Sequence, residues 1–478
     1  MVVARLEADG RVHVLDRLRD PVRLAAGLNE KRELTPKAEE RALAALERFA
    51  QRLRGLPHNA VRAVGTNTLR QAKNGSDFLE RAEAALGHPI EIISGHEEAR
   101  LIYLGVAHTL ADDVGRHLVV DIGGGSTELI IGQRFETLAL DSLFMGCVSL
   151  TTRFFASGVL SRETFRRAEL AAAIELSTLR EQYRNIGWQR ATASSGTALA
   201  IEEVLRANRW ADAITLEGLK RIKQELISQG NIGKIALRGL EPDRAPVFAG
   251  GVAIMKAVIE SLHIDKLQTS TGALREGLVY ELLGRTDHED VQERTTRTFA
   301  ERYKVDAAQA ARVTQTALSL FAQVQSSVEV DAEFGRTYLS WAGLLHEVGL
   351  SIAHSGYHKH SAYLLEHAEM PGFSRDEQLV LSTIVRCHRR RLSREPFARL
   401  LKEHRKSTFQ LALILRLAAR LHRSRSAEQL PELALRATKN ELTLGFPNGF
   451  LDEHPLTRAD LEEETELLKA VSVTLVVR

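Results

Sequence analysis

The stretch His117–Gly132, HLVVDIGGGSTELIIG, restricts the fold more than any other part of the chain. Leu118–Val120 are branched and apolar and read as a buried strand, and Thr127–Ile131 read as its antiparallel return. Between them, Ile122–Ser126 is packed with glycine. Three successive residues without Cβ let backbone N–H groups converge on an anion and let the backbone enter φ > 0. No helical pattern opens after the glycines and no Gly-Lys-Ser/Thr follows, so neither a dinucleotide fingerprint nor a P-loop fits. The pattern instead suits a phosphate cradle made of Gly123, Gly124, Gly125 and Ser126. Asp121 and Glu128 flank it as hard oxygen ligands for a Mg²⁺ that accompanies phosphate. The same residues would also make a tight hairpin with two solvated carboxylates.

Composition sets the frame for that motif. The 478 residues leave room for about three domains. Cys147 and Cys387 are the only cysteines and lie far apart, which argues against a disulfide framework and for a reducing compartment. No signal peptide and no membrane-spanning run is legible, so a cytoplasmic location is expected, with peripheral membrane association left open. Net charge is only +2 but unevenly spread: Arg386–Arg425 holds 13 Lys/Arg against two acids, +11, leaving −9 for the remainder. That concentration reads as a polyanion footprint centred on Arg386, Arg389, Arg390 and Arg391.

In chain order, Val2–Leu6 and Arg11–Asp16 around Asp9-Gly10 read as a hairpin, and Thr35-Pro36 opens a helix that Gly55 stops. The strand Ala60–Val64 delivers GTNTLR at 65–70, where Arg70 can meet phosphate oxygens bidentately or lie on the surface. After the strand Pro89–Ile93, Ser94 and Glu97 have capping-box spacing. Glu98 has no such structural task, and a carboxylate at a helix start suits a group that takes or orients a water proton, or simply complements the helix dipole. Three further glycine turns follow strands or open helices: Ser194–Thr197, with Gly196 and Thr197 as phosphate contacts, Phe248–Gly251, and Thr271-Gly272. Together with the central turn they suggest one shared anionic ligand at the strands' C-terminal ends.

A charged connector at about Gly284–Thr298 separates these units from more than a hundred residues of amphipathic helix, such as Ala307–Val324 and Thr337–Val348. His346-Glu347, His354, His358 and His360 lie there. A histidine–aspartate metal site would need a His-Asp pair and a first histidine ligand, but the pair here is His-Glu and no histidine lies between Arg302 and Leu345, so a helical scaffold whose His358 and His360 help meet polyanion is the preferred reading. The expected tail is α+β: strands Leu433–Thr438 and Glu441–Phe446 around Lys439-Asn440, a helix near Arg458–Leu468, and Val471–Val477.

Taken together, GTNTLRQA at 65–72, IISGHEEARLIYLGV at 92–106, DIGGGSTELIIG at 121–132, SSGTALA at 194–200, STGALREGLVY at 270–280 and LLHEVGLSIAHSGYHKHSAYLLEH at 344–367 resemble the exopolyphosphatase/guanosine pentaphosphate phosphohydrolase family. The resemblance implies an α/β actin-like (ribonuclease H-like) two-lobed core plus an all-α histidine-aspartate-like domain and a small α+β tail, divided as 1–101, 102–286, 287–428 and 429–478. It implies Mg²⁺ dependence, a homodimer, and release of terminal orthophosphate from polyphosphate, with Glu98 as catalytic base, Asp121 and Glu128 as metal-linked acids, and Arg70 and the glycine turn as phosphate contacts. The HSGYHKHSAY run is more similar to the polyphosphate-degrading branch, with the basic segment retaining the polymer for processive cleavage. Guanosine pentaphosphate hydrolysis is the alternative, and a non-catalytic polyanion-binding protein is the alternative of another class. Nucleic acid is not the expected partner: the basic segment carries only Phe397 and Phe409 as aromatics, too few to stack bases. One departure is that MVVARLEADG matches the strand that follows the family's first phosphate turn, so a misplaced start is expected.

Overall fold

A computed structural model describes residues 1–6, 12–29, 31–109, 115–284, 291–426, 428–438 and 440–478. The Asp9-Gly10 turn, Lys439 and the connector's residues 285–290, with the 286/287 boundary, lie outside them. The chain forms two compact units, Met1–His288 and Glu289–Arg478.

In the first unit, β1 (Val2–Leu6) and β2 (Val12–Arg17) pair antiparallel, and β3 (Ala63–Gly65) and β4 (Ile90–Ile92) pair parallel. Both pairs are separate two-stranded sheets. The larger sheet has the order β7-β6-β5-β8-β9, from β5 (Arg116–Ile122), β6 (Thr127–Gln133), β7 (Glu136–Leu143), β8 (Arg190–Ser194) and β9 (Gln268–Thr269). The first three make an antiparallel meander, while β8 and β9 run parallel to β5. This is the ribonuclease H-like arrangement of an actin-like lobe. It follows from burial: β5 and β6 sit in mid-sheet, and Leu118–Val120 and Leu129–Ile131 are fully enclosed on both faces.

The sheet meets helices on both sides. Ala245–Leu262, long and apolar enough to pass for a membrane span, is a buried core helix here, with Val252, Ile254 and Val258 inaccessible to solvent. On the other face, Gly95–Ala107 packs against Leu274–Gly284. Gly105 and Gly277 make that crossing so tight that a Cβ at Gly277 would meet the Leu101 carbonyl and one at Gly105 the Ala273 carbonyl. A charged cluster locks the same crossing: Arg100 bonds Glu97 and Glu281, and the buried Arg62 pairs with Glu281 and, at 3.1 Å, with Glu91 of β4. The helix Gly95–Ala107 runs through residue 101, so it serves both lobes.

The second unit is built on the helices Val291–Arg302, Ala307–Val324, Ala332–Leu345, Tyr357–His367, Arg375–Cys387, Lys402–Leu421 and Pro455–Lys469. Its C-terminal sheet has the order β10-β11-β12, from β10 (Ala434–Ala437), β11 (Glu441–Gly445) and β12 (Thr474–Val477). Leu435, Leu444, Leu461 and Leu475 from this tail share one core with Leu339, Leu381 and Leu415 from the helices. Arg416, 1% exposed, crosses that core to Glu464 and donates to the carbonyls of Cys387 and Arg390. A charge that deep survives only with its bonds satisfied.

Candidate active site

The β5–β6 turn is held from behind. Gly123 N–H donates to the Ser126 carbonyl at 2.9 Å, and the carbonyls of Gly123 and Gly124 accept from Cys147 N–H and Val148 N–H, the first amides of the helix Cys147–Phe154. The N–H groups of Gly124, Gly125 and Ser126 donate to no acceptor among the described residues. With the carbonyls turned inward and three amides left open, the loop presents a positive concavity. None of its glycines takes positive φ. Close approach accounts for Gly125, where a Cβ would lie 2.6 Å from Asn67 Nδ2, and for Gly146 behind the turn, which rests directly on the backbone of Gly124 and Gly125. The expectation of left-handed backbone here gives way to packing.

Three carboxylates gather beside the turn. Asp121, at the end of β5, accepts from Ser194 Oγ, its neighbour across the β5–β8 ladder. Burial pushes its pKa up to about 6. Glu128, on β6, accepts from Ser142 Oγ at 2.8 Å, and burial together with the charges of Glu98 and Asp121 raises it well above the usual range. Glu98 is likewise raised by burial and by Asp121, against the opposing pull of Arg70. All three hold protons more tightly than exposed acids, Asp121 through burial alone and Glu98 and Glu128 through burial together with neighbouring carboxylate charge.

Ser94 caps the helix that carries Glu98, accepting from Glu97 N–H at 3.0 Å, while the Glu97 carboxylate forks onto Arg100. Arg70 lies against this corner, donating to Glu98 Oε2 at 3.1 Å and to the Ile93 carbonyl at 2.7 Å. The structure therefore sets Arg70 as the ion-pair partner of Glu98, one guanidinium nitrogen being shared between that carboxylate and the Ile93 carbonyl.

Of the three further glycine turns, only one shares the cleft. A hollow of about 370 Å³ is lined by Gly123–Ser126, Thr66–Thr68, Glu98, Cys147, Val148, Ser195, Gly196 and Thr197. Ser195, at φ +89°, makes the sharp entry from β8 into its helix, and Thr197 Oγ1 donates to the Ile122 carbonyl at 3.0 Å. A left-handed serine costs about 1–3 kcal/mol and is held only where its surroundings fix it. Gly250 and Gly251, read from the sequence as a ligand-binding turn, lie inside the helix Ala245–Leu262, where a Cβ on Gly250 would strike the Cys147 carbonyl and Thr151 Oγ1 at 2.5 Å. Gly272 likewise serves the backbone crossing at Gly105. Packing, not anion binding, accounts for both.

Sequence reasoning missed the opposite wall. Arg19, Arg23 and Arg244 line the hollow, with Arg23 donating to the Asp243 carbonyl and Arg19 3.9 Å from the Asp243 carboxylate. The Arg244 guanidinium lies over Gly196, where any side chain would collide with it. Among the described residues it has no carboxylate or carbonyl hydrogen bond, and burial with the nearby Arg19 lowers its pKa. Isolated arginines in loops carry no periodic signal. The one available hint was their position before glycine- and proline-marked helix starts.

In the second unit the basic segment is mostly internally paired. Arg399 meets Glu366, Arg416 Glu464, Arg420 Glu463, Arg423 Asp460 and Arg425 Glu347, while Arg394 and Arg405 bond backbone carbonyls. The acids come from outside the segment, which is why a local charge count overstates the free charge. What remains is a corner: exposed Arg386, Arg390 and Arg391, with Arg389 lying 4.4 Å over the Tyr357 ring. His358 is buried at this corner, and burial plus Arg389 and Lys359 lower its pKa to about 4; His360 is half-buried on the same helix. Glu347 is bound by Arg425 at 2.6 Å through both oxygens, and among the described residues no three His, Cys, Asp or Glu side chains are arranged to hold a metal.

An actin-like lobe with a glycine phosphate turn facing clustered carboxylates defines a phosphoryl-group enzyme. Residues 2–286 match the Ppx/GppA phosphatase family and residues 291–465 match Ppx/GppA phosphatase, domain III; the chain belongs to this family of phosphoanhydride hydrolases. It is 39% identical to a guanosine-5'-triphosphate,3'-diphosphate pyrophosphatase of Aeromonas hydrophila, over 98% of this chain and 94% of that protein. The protein of the same name from Vibrio cholerae is 40% identical over 97% and 93%. Among solved structures, an exopolyphosphatase from Cytophaga hutchinsonii aligns with a TM-score of 0.54 at 25% identity, covering 59% of this chain and 94% of its own. The Aquifex aeolicus Ppx/GppA family member aligns with a TM-score of 0.50 at 26% identity, over 60% and 94%.

Proposed function

We propose that this chain hydrolyses the terminal phosphoryl group of guanosine 5'-triphosphate 3'-diphosphate. The observation that favours the nucleotide over the polymer is the name shared by relatives about 40% identical along nearly the whole chain. The cleft is compatible with it: beyond the glycine turn, Arg19, Arg23 and Arg244 offer guanidinium groups to a second phosphate cluster on the same ligand.

In this reading the open amides of Gly124, Gly125 and Ser126 bind the oxygens of the terminal phosphoryl group. Glu98 accepts the proton of the attacking water, its raised pKa placing it closer to neutral pH than an ordinary glutamate, and Arg70 fixes its orientation. Asp121 and Glu128 would hold Mg²⁺. The fit is chemical: mutually repelling buried carboxylates beside a phosphate cradle are hard donors short of positive charge, and Mg²⁺ is ordinarily bound by one or two carboxylates plus phosphate oxygens and water. When bound, the ion supplies charge to the non-bridging phosphate oxygens.

Polyphosphate is the second reading, supported by the exposed basic corner at Arg386, Arg390 and Arg391 with Arg389 beside it, and by the exopolyphosphatase structural neighbour; His358, buried with its pKa lowered to about 4, adds no charge there at neutral pH. Orthophosphate release from each substrate with Mg²⁺ separates them. A higher kcat/KM on guanosine pentaphosphate supports the proposal; turnover confined to long polyphosphate overturns it.

A further inference from the structure

Between β7 and the helix Cys147–Phe154 the chain passes Leu143-Phe144-Met145-Gly146. Leu143 and Met145 are buried, at 8% and 1% exposure, whereas the Phe144 ring between them is 74% exposed. Single exposed apolar side chains are ordinary on protein surfaces. Phe144 is set apart by its flanks. Two residues before it, Ser142 bonds Glu128 and abuts Gly95, whose absent Cβ would lie 2.7 Å from Ser142 Cβ. Two residues after it, Gly146 rests on the backbone of Gly124 and Gly125. Its Cα therefore lies within about 7.6 Å of the Cα atoms of Ser142, which bonds the carboxylate cluster, and of Gly146, which backs the phosphate turn.

The backbone there is also fixed. Met145 N–H donates to the Leu143 carbonyl at 2.8 Å, closing a turn around Phe144, and Thr127 Oγ1 donates to the Met145 carbonyl at 2.6 Å. An aromatic ring whose backbone is pinned, two residues from groups that touch the phosphate site, has only its own two side-chain torsions to order on binding a flat partner. Phosphate gives such a ring nothing to stack on. A nucleobase does.

We infer that Phe144 stacks on the guanine base of the substrate and is the residue by which this site distinguishes a guanosine nucleotide from bare polyphosphate. The inference rests on the guanosine reading above. A base lost from an aromatic platform weakens binding by about tenfold or more.

The experiment compares kcat/KM for guanosine pentaphosphate and for tripolyphosphate in wild type, Phe144→Ala and Phe144→Trp, with circular dichroism confirming the fold. The expected result is a fall of about tenfold in the ratio for Phe144→Ala, carried by KM, and recovery in Phe144→Trp. An unchanged ratio overturns the inference, as does an equal loss on both substrates, which would mark Phe144 as a structural or subunit contact. Wild-type enzyme that ignores guanosine pentaphosphate while cleaving tripolyphosphate overturns the functional reading itself, an outcome distinct from an unchanged ratio in an enzyme active on both.

Discussion

Replacing Asp121 by asparagine should make the protein more stable and less active at once. Asp121 is 7% exposed, and burial raises its pKa from 3.8 to about 6. Between those two values the folded chain holds a proton that the unfolded chain has released. Stability is therefore greatest below about 3.8 and declines as pH rises to about 6, after which the loss is constant. About two pH units at ~1.4 kcal/mol each amount to about 3 kcal/mol at neutral pH. Asparagine cannot ionise, so Asp121→Asn escapes that loss, while its amide oxygen still accepts from Ser194 with a bond weaker by about 1 kcal/mol. The net expectation is a gain of about 2 kcal/mol at pH 7.5 that vanishes or reverses at pH 3.5. Calorimetry in EDTA at the two pH values measures it, and a rise of about 5 °C in the transition of the first unit is the corresponding shift at pH 7.5. Adding Mg²⁺ should then stabilise wild type more than the variant, by preferential binding to the folded state. Coincident melts at pH 7.5 would refute the argument, since they would mean that Asp121 ionises without cost where it stands.

Other substitutions probe other parts of the site. Glu98→Gln should lower kcat by about 10²–10⁴-fold while substrate binding, followed by calorimetry, stays within a fewfold; wild-type turnover would remove Glu98 from proton transfer. Gly146→Ala drives a methyl into the backbone of Gly124 and Gly125, so it should raise KM for every phosphate substrate and lower the melting temperature, which kinetics with circular dichroism would detect. In the second unit, Glu464→Gln leaves Arg416 without its charge partner and should cost about 3–5 kcal/mol in urea unfolding, whereas replacing both residues with methionine should cost far less.

What the sequence disclosed of this fold is what short-range chemistry dictates. Leu118–Val120 and Thr127–Ile131 could be assigned as strands because enclosed strands are continuously apolar, and Asp121, Glu128 and the glycine turn come with them. Glu98 could be separated from Glu97 because a cap has fixed spacing. The failures have equally local causes. Gly250-Gly251 imitates a turn in one dimension; only the approach of Cys147 and Thr151, about a hundred residues away in sequence, shows that the glycines relieve helix packing. The +11 of Arg386–Arg425 is offset by Glu347, Glu366, Asp460, Glu463 and Glu464, which no window over the segment contains. Arg244 reaches the cleft by tertiary folding alone.

The crossing of Gly95–Ala107 over Leu274–Gly284 has a mechanical consequence. Where two helices touch backbone to backbone, with Gly105 and Gly277 interleaved and Arg62 and Arg100 clamped on Glu281, there is no compressible layer of side chains between them. Glu98 therefore stands on a rigid mount, one turn from the clamp. The facing wall is held differently: the loop bearing Arg19 and Arg23 is tied to Asp243 by exposed contacts that water can replace. Glu98 thus lies on the rigid side of the cleft and Arg19 and Arg23 on the side held by exchangeable contacts, so substitutions at Asp243 should alter the rate of ligand entry, followed by stopped-flow binding, before they alter turnover of bound ligand.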